Sequence, residues 1–204
     1  MARCGARFNR DARFIGAHQA KEMQINQTQI EVVRGSVLEQ ETDAIVNAAN
    51  KGMRGGGALD GTIHRAAGPQ MLEELTEVAP HGAQTAQVVA TRAYDLPQKF
   101  VFHVAGPVWK TAREQECEDE LAMSYYNALA EADARGLESL ALPSLSTGVY
   151  AFPLERAAPI ALKTTVYFLR NHPETSLERV TFAMFGGAEH HEFRRALEKL
   201  NSAS

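Results

Sequence analysis

The stretch AIVNAANKGMRGGGALDGTIHRAAG runs from Ala44 to Gly68. It opens as a buried strand, Ala44-Ile45-Val46, and closes with the spacing of a helix. Between the two lie the amides Asn47 and Asn50, the run Gly55-Gly56-Gly57 and the carboxylate of Asp60. A simple turn needs far less. Residues without Cβ let backbone N–H groups approach a ligand closely, and a helix N-terminus just downstream favours an anion. An amide both donates and accepts, which suits sugar hydroxyls. Asn47 is expected mainly to hold the loop backbone, as asparagines in turns do, and Asn50 to face a ligand. Asp60 and His64, four apart, share one helix face, where a local ion pair is the plain explanation of the histidine.

Neither common phosphate motif is present. Asp60 stands where a dinucleotide fingerprint beginning at Gly55 needs its third glycine, and no lysine follows in the P-loop position. A second loop of the same kind, LPSLSTGVYAFP from Leu142 to Pro153, also leaves a strand, passes glycine and enters a helix. In open α/β sheets ligands sit beyond the carboxyl ends of the strands, so two such loops point to one crevice.

Outward from these loops, Gln29–Val33 alternates and reads as the first strand. Residues 43–47, 86–94, 99–106, 138–145 and 179–185 read as further strands. Helices are expected over residues 61–68, 69–80 with Pro69 at the first helical position, 118–135, 153–170 and 189–200. Alternating strands and helices imply an α/β fold covered on both faces. The adjacent runs 86–94 and 99–106, joined by a short connection, imply an antiparallel pair. The predicted architecture is a three-layer α/β/α sandwich with a mixed central sheet.

The 204 residues, 45% hydrophobic and 23% charged, suit one globular domain. A net charge of −4 argues against sequence-independent nucleic-acid binding. The cysteines, Cys4 and Cys117, are too few for a disulfide framework, so a reducing cytoplasm is expected. No apolar run is long enough to span a bilayer. Residues 1–22 carry Arg3, Arg7, Arg10, Arg13 and Lys21 without an apolar core or clear amphipathic stripe, and read as a disordered extension. Met23 stands directly before the first strand-like run, where a start codon would also fit. Glu189, His190, His191 and Glu192 have metal-binding chemistry, but adjacent helical residues point apart, and no metal site is expected. Cys117 lies among glutamates, which disfavour a thiolate.

Taken together, VNAAN, the ten residues from Asn50 to Asp60 through glycine, DGTIHRAAGP, FHVAGPVW and LSTGVYAFP resemble macrodomains of the MacroD type. The likeness covers Gln24 to Leu200, within a domain of residues 23–204. It implies ADP-ribose and mono-ADP-ribosylated proteins as partners and no cofactor. The implied activities are removal of mono-ADP-ribose from acidic side chains and deacetylation of O-acetyl-ADP-ribose by a monomeric enzyme. By position, Asn50 and Asp60 match the family's catalytic pair. Gly56, Gly57, Ala58, Leu59 and the run Ser146, Thr147, Gly148, Val149 and Tyr150 match its diphosphate cradle. Phe185 matches an aromatic beside adenine; Ser36 and Val37 match the adenine-reading turn, and Asn47 belongs to the same ligand loop. Two positions depart from the pattern: Ala58 replaces a loop glycine, and Ser36 replaces the aspartate that reads the adenine amino group. A hydroxyl retains an acceptor without the charge. Chain-trimming glycohydrolases carry a QEE run after their glycines; the QEC at Gln115 stands in the wrong place for it. A module that reads ADP-ribose without hydrolysing it is the alternative; an RNA-binding macrodomain fits the acidic balance poorly.

Overall fold

Seven strands make one sheet in the order β1-β2-β7-β6-β3-β5-β4. The computed structural model describes residues 22–203, so the expected extension over residues 1–22 lies, except for Glu22, outside the described residues. The strands are β1 (Glu22–Ile25), β2 (Thr28–Arg34), β3 (Ala44–Ala49), β4 (Val88–Arg92), β5 (Phe100–Ala105), β6 (Ser139–Leu142) and β7 (Arg179–Met184). The run from β2 through β7, β6 and β3 to β5 is parallel. The edge strands β1 and β4 pair antiparallel, as expected for β4–β5.

β1 corrects the expectation that the sheet begins with the Gln29–Val33 run. It folds back on β2 through Asn26, whose φ of +52° is tolerated by asparagine better than by most side chains. Met23 and Ile25 face the core and Glu22 and Gln24 face solvent. Four residues carry too little alternation to be read as a strand.

The sheet is sandwiched. On one face lie α1 (Ala58–Ala67) and α2 (Pro69–Val78); on the other lie α3 (Glu114–Ala134), α4 (Leu154–Asn171) and α5 (Gly187–Ala203). Gly68 ends α1 and precedes α2 with φ +83°, and a Cβ there would sit 2.6 Å from Asp95 Oδ2. Pro69 at the start of α2 has no N–H to leave unpaired. The helix expected over 118–135 begins earlier, at Glu114, after a short 3-10 turn. Among the described residues no helix is long and apolar enough to cross a membrane.

Two polar anchors fix the ends of the parallel strands, one within the sheet and one from a helix. At the amino ends, Asp43 accepts from the backbone N–H groups of Glu138 and Ser139 and pairs with Lys99 at 2.6 Å. Burial alone would raise its carboxyl, but Lys99 and these donors outweigh it and hold the group below the usual range. At the carboxyl ends, the hydroxyl of the fully buried Tyr125 on α3 donates to Pro143 O at 3.0 Å. It accepts from Leu145 N–H at 2.8 Å. One phenol thereby anchors the chain leaving β6.

Tyr125→Phe will strand the buried Leu145 N–H and cost about 1–3 kcal/mol, the range for an unsatisfied buried donor. Denaturant unfolding measures it; an unchanged midpoint would show that the β6–α4 segment is held by packing alone.

Candidate active site

A cleft of about 950 Å³ lies beyond the carboxyl ends of the central parallel strands. Five connections form it: those after β2, β3, β5, β6 and β7. The structure brings together on its walls Ser36, Val37, Asn50, Gly56, Gly57, Ala58, Leu59, Asp60, Ser146, Thr147, Gly148, Val149, Tyr150 and Phe185. Phe185 and Val149, 81% and 92% exposed, stand at its rim.

Asn47 does not reach the cleft. It is fully buried behind Asp60, and its Nδ2 donates to Asp60 Oδ1 at 2.7 Å. Strand alternation turns it beneath α1. Asn50, beyond the end of β3, holds the loop: its Nδ2 donates to Gly55 O at 2.9 Å, and its Oδ1 accepts from Gly52 N–H at 2.9 Å. The backbone-holding part expected of Asn47 is thus played by Asn50, which also lines the cleft.

Asp60 is the third residue of α1, and it is 5% exposed. Gly57 is the N-cap and makes no side-chain cap bond, so the first-turn N–H groups are left for a ligand in the cleft. His64 Nε2 approaches Asp60 Oδ1 to 3.2 Å but is out of line for a hydrogen bond. Asp60 Oδ2 lies 2.9 Å, and Asn50 Nδ2 3.3 Å, from where a Cβ on Gly56 would be. An alanine at position 56 would press on both side chains.

Behind the carboxylate, Asn47 Nδ2 lies 3.0 Å from His103 Nδ1, and His103 Nε2 lies 3.0 Å from Thr91 Oγ1. Burial, reinforced by nearby His64 and opposed by Asp60, pushes His103 down to about 3. Asp60, His64 and His103 offer ligand atoms within 4.8 Å of one another, the one such group among the described residues. Both His103 nitrogens already face Asn47 and Thr91, which leaves the ring no lone pair for a metal.

The Macro domain family model matches residues 46–161. The chain belongs to the macrodomain family. This macrodomain is 44% identical over 171 residues to the O-acetyl-ADP-ribose deacetylase of Enterobacter sp., covering 83% of this chain and 93% of that one. It is 36% identical over 182 residues to the ADP-ribose glycohydrolase MACROD2 of Xenopus laevis, covering 88% of this chain and 43% of that longer one. The Oceanobacillus iheyensis macrodomain with ADP superposes with a TM-score of 0.85 at 34% identity, covering 91% of this chain and 98% of that one.

Several wall residues of the macrodomain were not singled out in sequence. Gly106 after β5 admits the second loop, since a Cβ there would collide with Ser146 Oγ. Gly186 and Gly187 join β7 to α5, and Glu189, one of the four adjacent residues with metal-binding chemistry, accepts from Gly186 N–H at 2.9 Å. The signal was present: MFGGAE is a third strand–glycine–helix junction. Met53 and Ala58 in the first loop and Ser146 and Ala151 in the second have φ between +49° and +65°, a strained region for side chains other than glycine. Ala58 adopts this conformation without glycine's freedom.

The depressed His103 has a consequence for stability. An unfolded histidine titrates near 6.5 and this folded one near 3. Above pH 6.5 both states are neutral at this site. As pH falls below that value the unfolded chain takes a proton the folded ring refuses, and stability is lost down to about pH 3. His103→Asn keeps an acceptor near the position of Nδ1 without a titrating ring. Between about pH 6 and 4 its stability will fall less steeply than wild type, by about 1.4 kcal/mol per pH unit. Equal slopes in denaturation would mean that the ring is charged in the folded protein.

Proposed function

We propose that this macrodomain is a hydrolase of ADP-ribose esters, removing mono-ADP-ribose from acidic protein side chains and deacetylating O-acetyl-ADP-ribose. The observation that carries the reading is the pairing of Asp60 Oδ2 with the Asn50 amide across the bare Cα of Gly56, on the wall of the cleft. Each part of the ligand has matching chemistry. Backbone donors at the start of α1 and the Ser146–Tyr150 loop suit a diphosphate. The amide of Asn50 suits the distal ribose hydroxyls. The exposed ring of Phe185 offers a face to a base, beside Ser36 and Val37.

In the proposed reaction Asp60 orients a water and accepts its proton while the water oxygen attacks the ester. On an acidic side chain the attack falls on the anomeric carbon, and the C–O bond breaks with its pair leaving on the side-chain carboxylate, while Asp60 passes its proton to solvent. On O-acetyl-ADP-ribose it falls on the acetyl carbonyl, and the acyl C–O bond breaks with its pair kept by the ribose oxygen, which takes the proton from Asp60 as acetate departs. Free ADP-ribose is the other product. Asn50 holds the ribose hydroxyls in place and the loop donors fix the diphosphate, so the ester is presented in one orientation.

Incubation with a glutamate-linked mono-ADP-ribosylated protein will release free ADP-ribose. Tight ADP-ribose binding without release would make the domain a reader instead. Asp60→Ala will lower turnover at least ~100-fold, the lower range for a positioned acid–base group, while ADP-ribose still binds. Near-normal turnover in that variant would assign the proton to a substrate phosphate. Asn50→Ala will weaken both turnover and binding, because it also releases Gly52 and Gly55.

The base subsite makes a separate prediction. Ser36 Oγ accepts from Leu38 N–H at 3.2 Å as an N-cap, and Glu39 accepts from Ser36 N–H at 3.0 Å. Aspartate caps as well as serine, so Ser36→Asp will preserve the turn. It will add a charged acceptor worth about 1 kcal/mol after its own desolvation and the proximity of Glu39. Calorimetry will show several-fold tighter ADP-ribose and little gain for the hypoxanthine analogue; equal gains would place the effect in the turn, not the base.

A further inference from the structure

Three polar side chains lie side by side beneath α1, one on each of three adjacent strands. Asn47 on β3 is paired in register with His103 on β5, and Thr91 on β4 lies next to them, its partner on β5 being Val101. None is more than 1% exposed. Their same-face neighbours are apolar: Ile45, Val101 and Ala93 to one side, Ala49, Ala105 and Val89 to the other. The row therefore divides the core on this face into two separate clusters. An apolar triplet would fill the same space without the cost of desolvating polar groups, so packing alone does not account for it.

We propose that His103 and Thr91 are positioning residues that, through Asn47, aim the Asp60 carboxylate with Oδ1 turned inward and Oδ2 turned to the cleft. The consequence for turnover rests on the hydrolase reading above; the geometry does not.

The chain of donors runs one way. An asparagine amide has nearly the same shape in either orientation, but its oxygen would repel a carboxylate. Asn47 instead presents NH₂, with one N–H to Asp60 Oδ1 at 2.7 Å and the other toward His103 Nδ1 at 3.0 Å. The second is a hydrogen bond only if Nδ1 is bare. The ring then carries its proton on Nε2 and donates it to Thr91 Oγ1 at 3.0 Å. Burial keeps the ring neutral, which the bare Nδ1 requires. Turning both N–H groups outward leaves Asn47 Oδ1 buried without a partner, an uncommon cost that marks the orientation as imposed from outside the amide. With Oδ1 held, rotation of the carboxylate is blocked, and Oδ2 stays beside Gly56 and Asn50. The hydroxyl of Thr91 thus supplies the acceptor that this tautomer of the ring on the next strand needs, and the ring holds the amide that holds Asp60.

Thr91→Val removes the acceptor for Nε2–H with little change of shape, and Thr91→Ser restores it. Nitrogen NMR of the histidine-labelled protein will show His103 protonated on Nε2 and bare at Nδ1. Thr91→Val will lower turnover ~10-fold, the lower end for losing an outer partner of a functional group, with ADP-ribose affinity unchanged. Thr91→Ser will recover the turnover. Carbon NMR of the Asp60 carboxyl will move in Thr91→Val and return in Thr91→Ser. A proton on Nδ1 in the wild type would overturn the inference, as would unchanged turnover in Thr91→Val or a failure of serine to rescue it. If the wild type releases no ADP-ribose, only the hydrolase reading fails. The ring tautomer and the Asp60 signal in the two Thr91 variants then decide the positioning by themselves.

Discussion

A carboxylate only 5% exposed must find its hydrogen bonds inside the protein. Asp60 is that group, and the arrangement around it follows from the requirement. Its inner oxygen needs a donor, which the sheet supplies from Asn47; its outer oxygen needs room, which Gly56 supplies by lacking a Cβ. α1 has to be capped at Gly57 for Asp60 to fall in its first turn, close to the open N–H groups. Moving any of these by one residue would bury the charge without a partner or expose it away from the cleft.

The cleft combines a stiff base with strained walls. The parallel strands beneath it are close-packed, tied to one another by Asp43 and to α3 by Tyr125. Above them the chain takes left-handed conformations at Met53, Ala58, Ser146 and Ala151, none of them glycine. Such residues persist only where the surrounding structure over-determines them. Close approaches supply that constraint here: Gly106 against Ser146, and Gly56 against Asp60 and Asn50. Loops built in this way present backbone donors in a fixed array, which lowers the ordering cost of binding an extended ligand.

Two wall positions have unusual local structure. Ser36 presents a neutral hydroxyl already engaged as a helix cap, with Glu39 completing the reciprocal bond. Ala58 holds a left-handed backbone at the start of α1. In the proposed reading the first bears on which base is preferred and the second on how rigidly the loop is held. Both lie on the wall of the same cleft as Asp60.

Much of this was legible along the chain. The β-rich runs, the helical spacings, Pro69, Gly68 and the antiparallel β4–β5 pair are local patterns, and local patterns survive in a one-dimensional reading. The two glycine loops announced a crevice because glycine followed by a helix start has one chemical meaning at a strand end. β1 escaped because four edge residues hold too little period, and Glu189 because capping and solvation look alike in sequence. What only the tertiary structure decided is direction. Asn50 both lines the cleft and holds the loop, while Asn47, three residues earlier, holds the carboxylate instead of the loop, because strand alternation turns it beneath α1. Asn47 lies 56 residues from His103, and Thr91 lies 12 from it across a turn, so no single spacing signals the row. Sheet register placed them side by side. The chain by itself determined which elements form and where a ligand can enter; the pairing of distant strands decided which buried groups hold the carboxylate, because side-chain neighbours across a sheet are set by register and not by sequence distance.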